Sequence, residues 1–135
     1  MTPSHSLIAF ALWTLALIMV VFAYRGLRFL KGAPINHWPR GNKPADDAAF
    51  IKRVEDAHAN CLENLPVFAV IVLAAAAMDK TASIAALAPW VLHTRVGQSL
   101  VHLWGVNQLQ VFLRASLWSV QLGLCIWMAV QLLPG

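Results

Sequence analysis

The sequence predicts an all-α membrane protein, a four-helix transmembrane bundle made of a single domain over residues 1–135. Composition and apolar spacing both point there. The chain is 59% hydrophobic and only 12% charged, with mean hydropathy +0.64. A soluble domain carries about 25% charged residues and under about 50% apolar ones. The apolar residues fall into four runs, about 6–24, 47–78, 83–104 and 111–133, and a helix needs about 20 residues to cross a hydrocarbon core. Four spans use the chain up, which excludes a separate soluble domain. The formal charge of +4 does not indicate nucleic acid, because the basic residues cluster beside an apolar run, as topology signals do.

The first run, Ser6 to Tyr24, has no basic region before it and no small-residue cleavage site after it. Arg25, Arg28 and Lys31 follow as a stop-transfer pattern, so it reads as a retained span rather than a signal peptide. Residues 25–45 read as a loop, because Gly32, Pro34, Pro39, Gly41 and Pro44 oppose a continuous helix. Arg25, Arg28, Lys31, Arg40 and Lys43 put that loop on the cytoplasmic side, near anionic headgroups. Arg28 lies about one turn past the span, close enough to reach a ligand.

The second run starts near Asp46 and Asp47, acidic residues suited to a helix N-terminus. Its apolar part, Leu65 to Met78, covers only about 21 Å, short of a core of about 30 Å. The polar opening must therefore be drawn into the membrane, where ionisable groups are costly and usually mark function. Arg53, Asp56, Asn60 and Glu63 fall at steps of three and four and share one helical face. Pro66 removes a donor inside the helix, which membrane helices tolerate.

Asp79 to Thr81 reads as an outer turn. The third run, 83–104, is clean from Ile84 to Leu92 and then carries His93, Arg95, Gln98, Ser99 and His102. Gly105 to Gln110 makes a second cytoplasmic turn. The fourth run, Val111 to Leu133, has Arg114 near its start; Trp118 and Trp127 read as packing or interface residues. Both termini fall outside. Cys61 and Cys125 sit in apolar segments and read as small buried hydrophobes rather than a disulfide or metal framework.

With alternating directions, the polar halves of the second, third and fourth runs meet at one depth, in the cytoplasmic leaflet. Arg53, Arg95 and Arg114 outnumber Asp56 and Glu63 there. Arginine stays protonated and presents a planar donor fork to carboxylates, so the cluster suits an anionic, carboxylate-bearing ligand from the cytoplasm. Structural ion pairs that fix helix order are the competing explanation. The sequence offers no Gly-rich phosphate loop, and His58, His93 and His102 lack metal-ligand spacing. Ser99 and Ser116 carry no signature of a nucleophile.

The stretch Ala57-His58-Ala59-Asn60-Cys61-Leu62-Glu63-Asn64-Leu65-Pro66-Val67-Phe68 resembles the signature of the MAPEG family, the membrane-associated proteins in eicosanoid and glutathione metabolism. The likeness covers essentially the whole chain and looks like that of a bacterial-type microsomal glutathione transferase. It implies a homotrimer of four-helix bundles, with glutathione as co-substrate between adjacent subunits near the cytoplasmic face. Asn60 and Glu63 match the family's glutathione-binding Asn and Glu. Arg95 matches the third-helix Arg, and Arg114 the fourth-helix Arg that stabilises the thiolate. Arg53, His102 and Arg28 complete the implied glutathione contacts, with Arg114 catalytic. A hydrophobic, lipid-like electrophile would enter from the bilayer between the first and fourth helices of neighbouring subunits. The chain departs from the family at Asp56, commonly Arg in the characterised transferases, with Arg53 one turn earlier. It departs again at His102, often Tyr.

The resemblance implies an integral, multi-pass protein, in a bacterial inner membrane, that acts as a glutathione-dependent transferase or peroxidase. The alternative is a non-catalytic lipid-binding or scaffold member of the same fold, which Asp56 favours. A small transporter or proton relay fits less well, because the outer halves lack the polar residues of a path.

Overall fold

A computed structural model describes residues 1–39 and 44–134. Arg40, Gly41 and Lys43 of the expected loop, and Gly135 of the tail, lie outside the described residues. The elements are α1 (Pro3–Leu30), a single 3₁₀ turn (Ile35–His37), α2 (Ala49–Ala77), a one-turn α3 (Thr81–Ile84), α4 (Ala88–Trp104) and α5 (Gln108–Leu132). No strand occurs among the described residues. Three helices are long and apolar enough to cross a membrane: α1, α2 and α5.

Helix α1 starts at a Thr2 cap, whose side chain accepts from the His5 backbone N–H, with Pro3 in the first turn. It runs past Tyr24 to Leu30, so Arg25 and Arg28 stand on the helix and not in a loop. Arg and Leu are good helix formers, and the first effective breaker is Gly32. Gly32 adopts φ +108°, which an L side chain would resist. There its N–H bonds the Phe29 carbonyl at 3.1 Å and Ala33 N–H bonds the Arg28 carbonyl at 3.0 Å, closing the helix end.

Residues 31–39 and 44–48, the described parts of the connection between α1 and α2, form a strap. Asp46 and Asp47 do not serve the α2 N-terminus as their position suggests. The cap is Ala48, with no side-chain bond and no acidic residue in the first turn. Both carboxylates turn back to α1, where the Arg28 guanidinium reaches Asp46 at 2.6 Å and Asp47 at 3.1 Å. A guanidinium and the Trp38 indole N–H (3.0 Å to Asp47) are stronger partners than a helix dipole.

The third apolar run is divided. A turn at residues 85–87 separates α3 from α4, and Pro89 opens α4 in its first turn. Proline has no N–H to extend the preceding helix but suits the start of a new one. The division falls in the run's cleanest apolar part rather than at its polar residues. Helix α5 starts three residues before its expected boundary. Asn107 accepts from Gln110 N–H at 2.8 Å while the Gln110 side chain accepts from Asn107 N–H at 3.1 Å, a reciprocal cap.

The core lies where α1, α2 and α4 meet. Phe10 and Phe68 pack with ring centroids 5.8 Å apart, both fully buried. Val54, Ala57 and Cys61 from α2 and Ile84, Ala88 and Val91 from α3 and α4 belong to the same core cluster. The outward faces of α1 and α5 are strongly apolar, with Ile8, Leu12, Met19, Phe22, Ile126 and Trp127 all exposed. Buried hydroxyls are satisfied within their own helices, as where Thr14 donates to the Phe10 carbonyl at 2.9 Å.

Candidate functional site

An open cleft of about 250 Å³ lies between α2, α4 and α5, lined by Asn60, Glu63, Gln98, Arg114, Ala115 and Trp118. Its geometry follows from helix periodicity. Asn60 and Glu63 are one turn apart on α2, and Arg114 and Trp118 one turn apart on α5. The reciprocal cap at Asn107 fixes where α5 begins and so the height of Arg114. Arg114 is partly buried and Glu63 exposed.

Of the expected site residues, Asn60, Glu63 and Arg114 line this one cleft. His102 is buried on α4 and adjoins it through Asn60, whose side-chain nitrogen lies 3.3 Å from His102 Nδ1. That contact fixes the Asn60 amide against α4 while Asn64 donates to the Asn60 backbone carbonyl at 2.9 Å. Arg53 stands two turns before Asn60. Its Nε donates to the Leu103 carbonyl at 3.0 Å, and its guanidinium lies 5.9 Å from the Phe50 ring centroid. Arg53 thereby ties α2 to the C-terminal end of α4, where carbonyls lack partners in their own helix.

Arg95 is placed differently. It is 0% exposed, its guanidinium is 5.8 Å from the Phe10 ring centroid, and none of its three nitrogens has a hydrogen-bond partner among the described residues. Arg95 therefore lies inside the bundle against α1 and does not line the cleft. Arg28 lies in a separate cluster at the strap, clamped by Asp46 and Asp47 and stacked against Trp38 and Tyr24 at 5.6 and 5.8 Å. Asp46 also meets His37 at 3.0 Å. Arg28 first, and His37 second, hold the Asp46 carboxyl down to about 2.

Gln98, Ala115 and Trp118 are the lining residues that the expected site left out. Gln98 was legible as one turn beyond Arg95 on the same face of α4, and Trp118 as one turn beyond Arg114. Gln98 is buried and its side-chain oxygen has no partner among the described residues. A buried unpaired acceptor is expensive, so it offers a bonding position to a ligand N–H. A larger pocket of about 370 Å³ lies at the strap, lined by Phe22, Arg25, Gly26, Phe29, Ile35 and Trp38. Its single charged group, Arg25, is paired with Glu55 at 2.9 Å. The smaller cleft, with both charge signs and the side-chain amides of Asn60 and Gln98, is the better candidate for chemistry. Among the described residues, no group of three or more His, Cys, Asp or Glu gathers as a metal site.

Comparison with known families decides the kinship of this arrangement. The model of the MAPEG family matches residues 5–134. The chain belongs to the MAPEG family. No curated protein and no solved structure gives a match. With its three long apolar helices, this MAPEG chain is an integral membrane protein. Membership associates it with membrane-bound glutathione or eicosanoid metabolism. Asp56 is exposed on α2.

Proposed function

We propose that this MAPEG protein is a glutathione-dependent transferase or peroxidase acting on hydrophobic electrophiles. The observation that carries the reading is the single cleft lined by Arg114, Asn60, Glu63 and Gln98. Those groups are chemically matched to glutathione, which carries two carboxylates, one ammonium, two peptide groups and a thiol. The guanidinium of Arg114 suits an anion, the Glu63 carboxylate suits the ammonium, and the Asn60 and Gln98 amides suit the peptide groups. Arg53, two turns along α2, would meet a carboxylate at the cytoplasmic end, with His102 holding the wall and Arg28 anchoring the strap nearby. A ligand pocket for a molecule of this size usually encloses about 300–1,000 Å³. The one-chain cleft falls short of that and is open, which supports completion by a second subunit in a homotrimer. The positive charge of Arg25, Arg28 and Lys31 supports a cytoplasmic strap and both termini outside.

In this reading Arg114 stabilises the glutathione thiolate. With a hydrophobic halide, the thiolate sulfur attacks the electrophilic carbon, a C–S bond forms, and halide leaves with the bonding pair. With a lipid hydroperoxide, the sulfur attacks the terminal oxygen and the O–O bond breaks. The alkoxide takes a proton to give the alcohol. A second glutathione then converts the sulfenic acid to the disulfide and water.

The test uses protein purified in detergent. Calorimetry should detect glutathione binding, and turnover should appear with an aryl halide or a lipid hydroperoxide. Absence of binding together with absence of turnover on both substrates refutes the proposal. Binding of lipid alone, with no glutathione bound, would instead support the lipid-binding scaffold.

A further inference from the structure

A side-chain amide is nearly symmetric in shape but opposite in polarity at its two ends. Turning it over needs no extra space, so its neighbours decide which end a ligand meets. Asn60 is half-buried and lines the cleft. Its Nδ2 lies 3.3 Å from Nδ1 of the buried His102. Two N–H groups cannot bond one another, so this contact uses the Nδ1 lone pair, and the ring proton stands on Nε2. The contact lies in the packed joint between α2 and α4 rather than on an outer face. One residue further along α2, the Cys61 Sγ lies 3.6 Å from the Ser99 Oγ, and both residues are buried. Beside His102, the Leu103 carbonyl accepts from Arg53 Nε, and the Asn60 backbone carbonyl accepts from the Asn64 side chain. These ties fix the Asn60 backbone and the level of His102, which leaves the turn of the Asn60 amide for Nδ1 to set.

Resting on the glutathione reading above, we infer that His102 is a positioning residue. Its Nδ1 holds the Asn60 amide nitrogen, so Asn60 presents its carbonyl oxygen to the cleft and reads a peptide N–H of the thiol co-substrate. The rest of that wall has the same polarity. Glu63, one turn along α2, carries a carboxylate. Gln98, one turn before His102 on α4, has a side-chain oxygen with no partner among the described residues. Acceptors from α2 and α4 thus line the same cleft as the cationic donor Arg114 of α5. A co-substrate is then read by polarity, with its ammonium and peptide N–H groups toward α2 and α4 and its anionic group toward α5. A thiol that lacks the N–H leaves the Asn60 and Gln98 oxygens unpaired, and mismatches of that kind discriminate strongly.

The test uses the full chain in detergent. The probes are glutathione and its two ester analogues, in each of which one peptide N–H is replaced by oxygen. One ester should bind the parent at least about tenfold more weakly than glutathione, because its oxygen meets the Asn60 oxygen. His102→Leu frees the amide to turn its NH₂ group to the ligand. Glutathione should then bind about fivefold more weakly, and the penalty for that ester should shrink to within about twofold. His102→Asn returns an acceptor to the place of Nδ1 and should restore the parent's discrimination. Without any ligand, ¹⁵N spectra should show the His102 ring, identified by the signal lost in His102→Asn, bare at Nδ1 and protonated at Nε2. That spectrum and His102→Asn carry the test if His102→Leu does not fold. A proton on Nδ1, equal binding of glutathione and both esters by the parent, or an ester penalty unchanged by His102→Leu would overturn the inference. A bare Nδ1 in a protein that binds no glutathione would retain the fixed amide and defeat the glutathione reading alone.

Discussion

Replacing Arg114 by alanine tests the proposed chemistry most directly. A free thiol has a pKa of about 8.5, so at pH 7 only about 3% is thiolate. A unit charge at about 4 Å contributes about 4 kcal/mol at the effective dielectric of about 20 found near a protein surface. The cleft is open and the oppositely charged Glu63 shares it, so about half survives. About 2 kcal/mol corresponds to about 1.5 pH units, which places the bound thiol near about 7 and makes about half of it thiolate. A less basic thiolate is also a weaker nucleophile, by about 0.4–0.5 log units per unit of pKa. The about 16-fold gain in thiolate at pH 7 then leaves only about a three- to fourfold gain in rate. A single rate is thus a poor readout, and the profile is the better one. With saturating glutathione, turnover of the parent should rise with a midpoint near about pH 7 and that of Arg114→Ala near about 8.5, the curves crossing near about pH 8. Thiolate absorbance at 240 nm (the conventional wavelength, about that of the thiolate band) should titrate with the same two midpoints. Coincident midpoints would refute the assignment of Arg114 to the thiolate.

Other consequences are structural. Because Asp46 is held below its ordinary 3.8, to about 2, its pairing with Arg28 and His37 stabilises the strap fully above about pH 4 and is lost as the pH falls through about 2. Pepsin clipping within residues 31–39 should rise over that interval, and an unchanged rate would show that the carboxylate does not hold the strap. Lys80 Nζ donates to the Leu132 carbonyl at 3.2 Å and to the Pro134 carbonyl, closing the end of α5. Lys80→Met should cost about 1 kcal/mol locally and speed hydrogen exchange at residues 130–134 while leaving α2 unchanged. A Cβ at Gly105 would collide with Gln110 Oε1, the atom that accepts from Asn107. Gly105→Ala should weaken that cap by about 1 kcal/mol and raise exchange at the start of α5, and unaltered exchange there would show that Gln110 relaxes freely.

Three of the four apolar runs correspond to helices long and apolar enough to cross a membrane, α1, α2 and α5, because lipid-facing helices are apolar over most of their circumference; the bounds of α2 and α5 came within a few residues. The two larger differences share a cause. Arg25 to Leu30 looked like loop because its charges were read as topology, yet nothing before Gly32 prevents α1 from continuing. The break at residues 85–87 was hidden among apolar residues, where hydropathy reports burial but not backbone geometry; Pro89 was its one local signal. For the site, spacing alone aligned Asn60 with Glu63 and Arg95 with His102. What spacing could not distinguish is whether an arginine on a polar stripe faces a cleft or the core. Arg114 lines the cleft, and Arg95 points at Phe10. Nor could it reveal that Asp46 and Asp47 would prefer Arg28 to a helix end, since that choice depends on folding the strap back onto α1.

Both native thiols are shut inside the bundle, Cys61 at 0% and Cys125 at 7% exposure. To an aqueous maleimide the protein is therefore silent without any change to its own cysteines. A single thiol introduced by Ala33→Cys, on the strap, or by Ser83→Cys, beyond the opposite end of α2, would report on a blank background. In sealed cells, a membrane-impermeant reagent should modify the Ser83→Cys variant and spare the Ala33→Cys variant, which reads the orientation of the whole bundle from two bands on a gel.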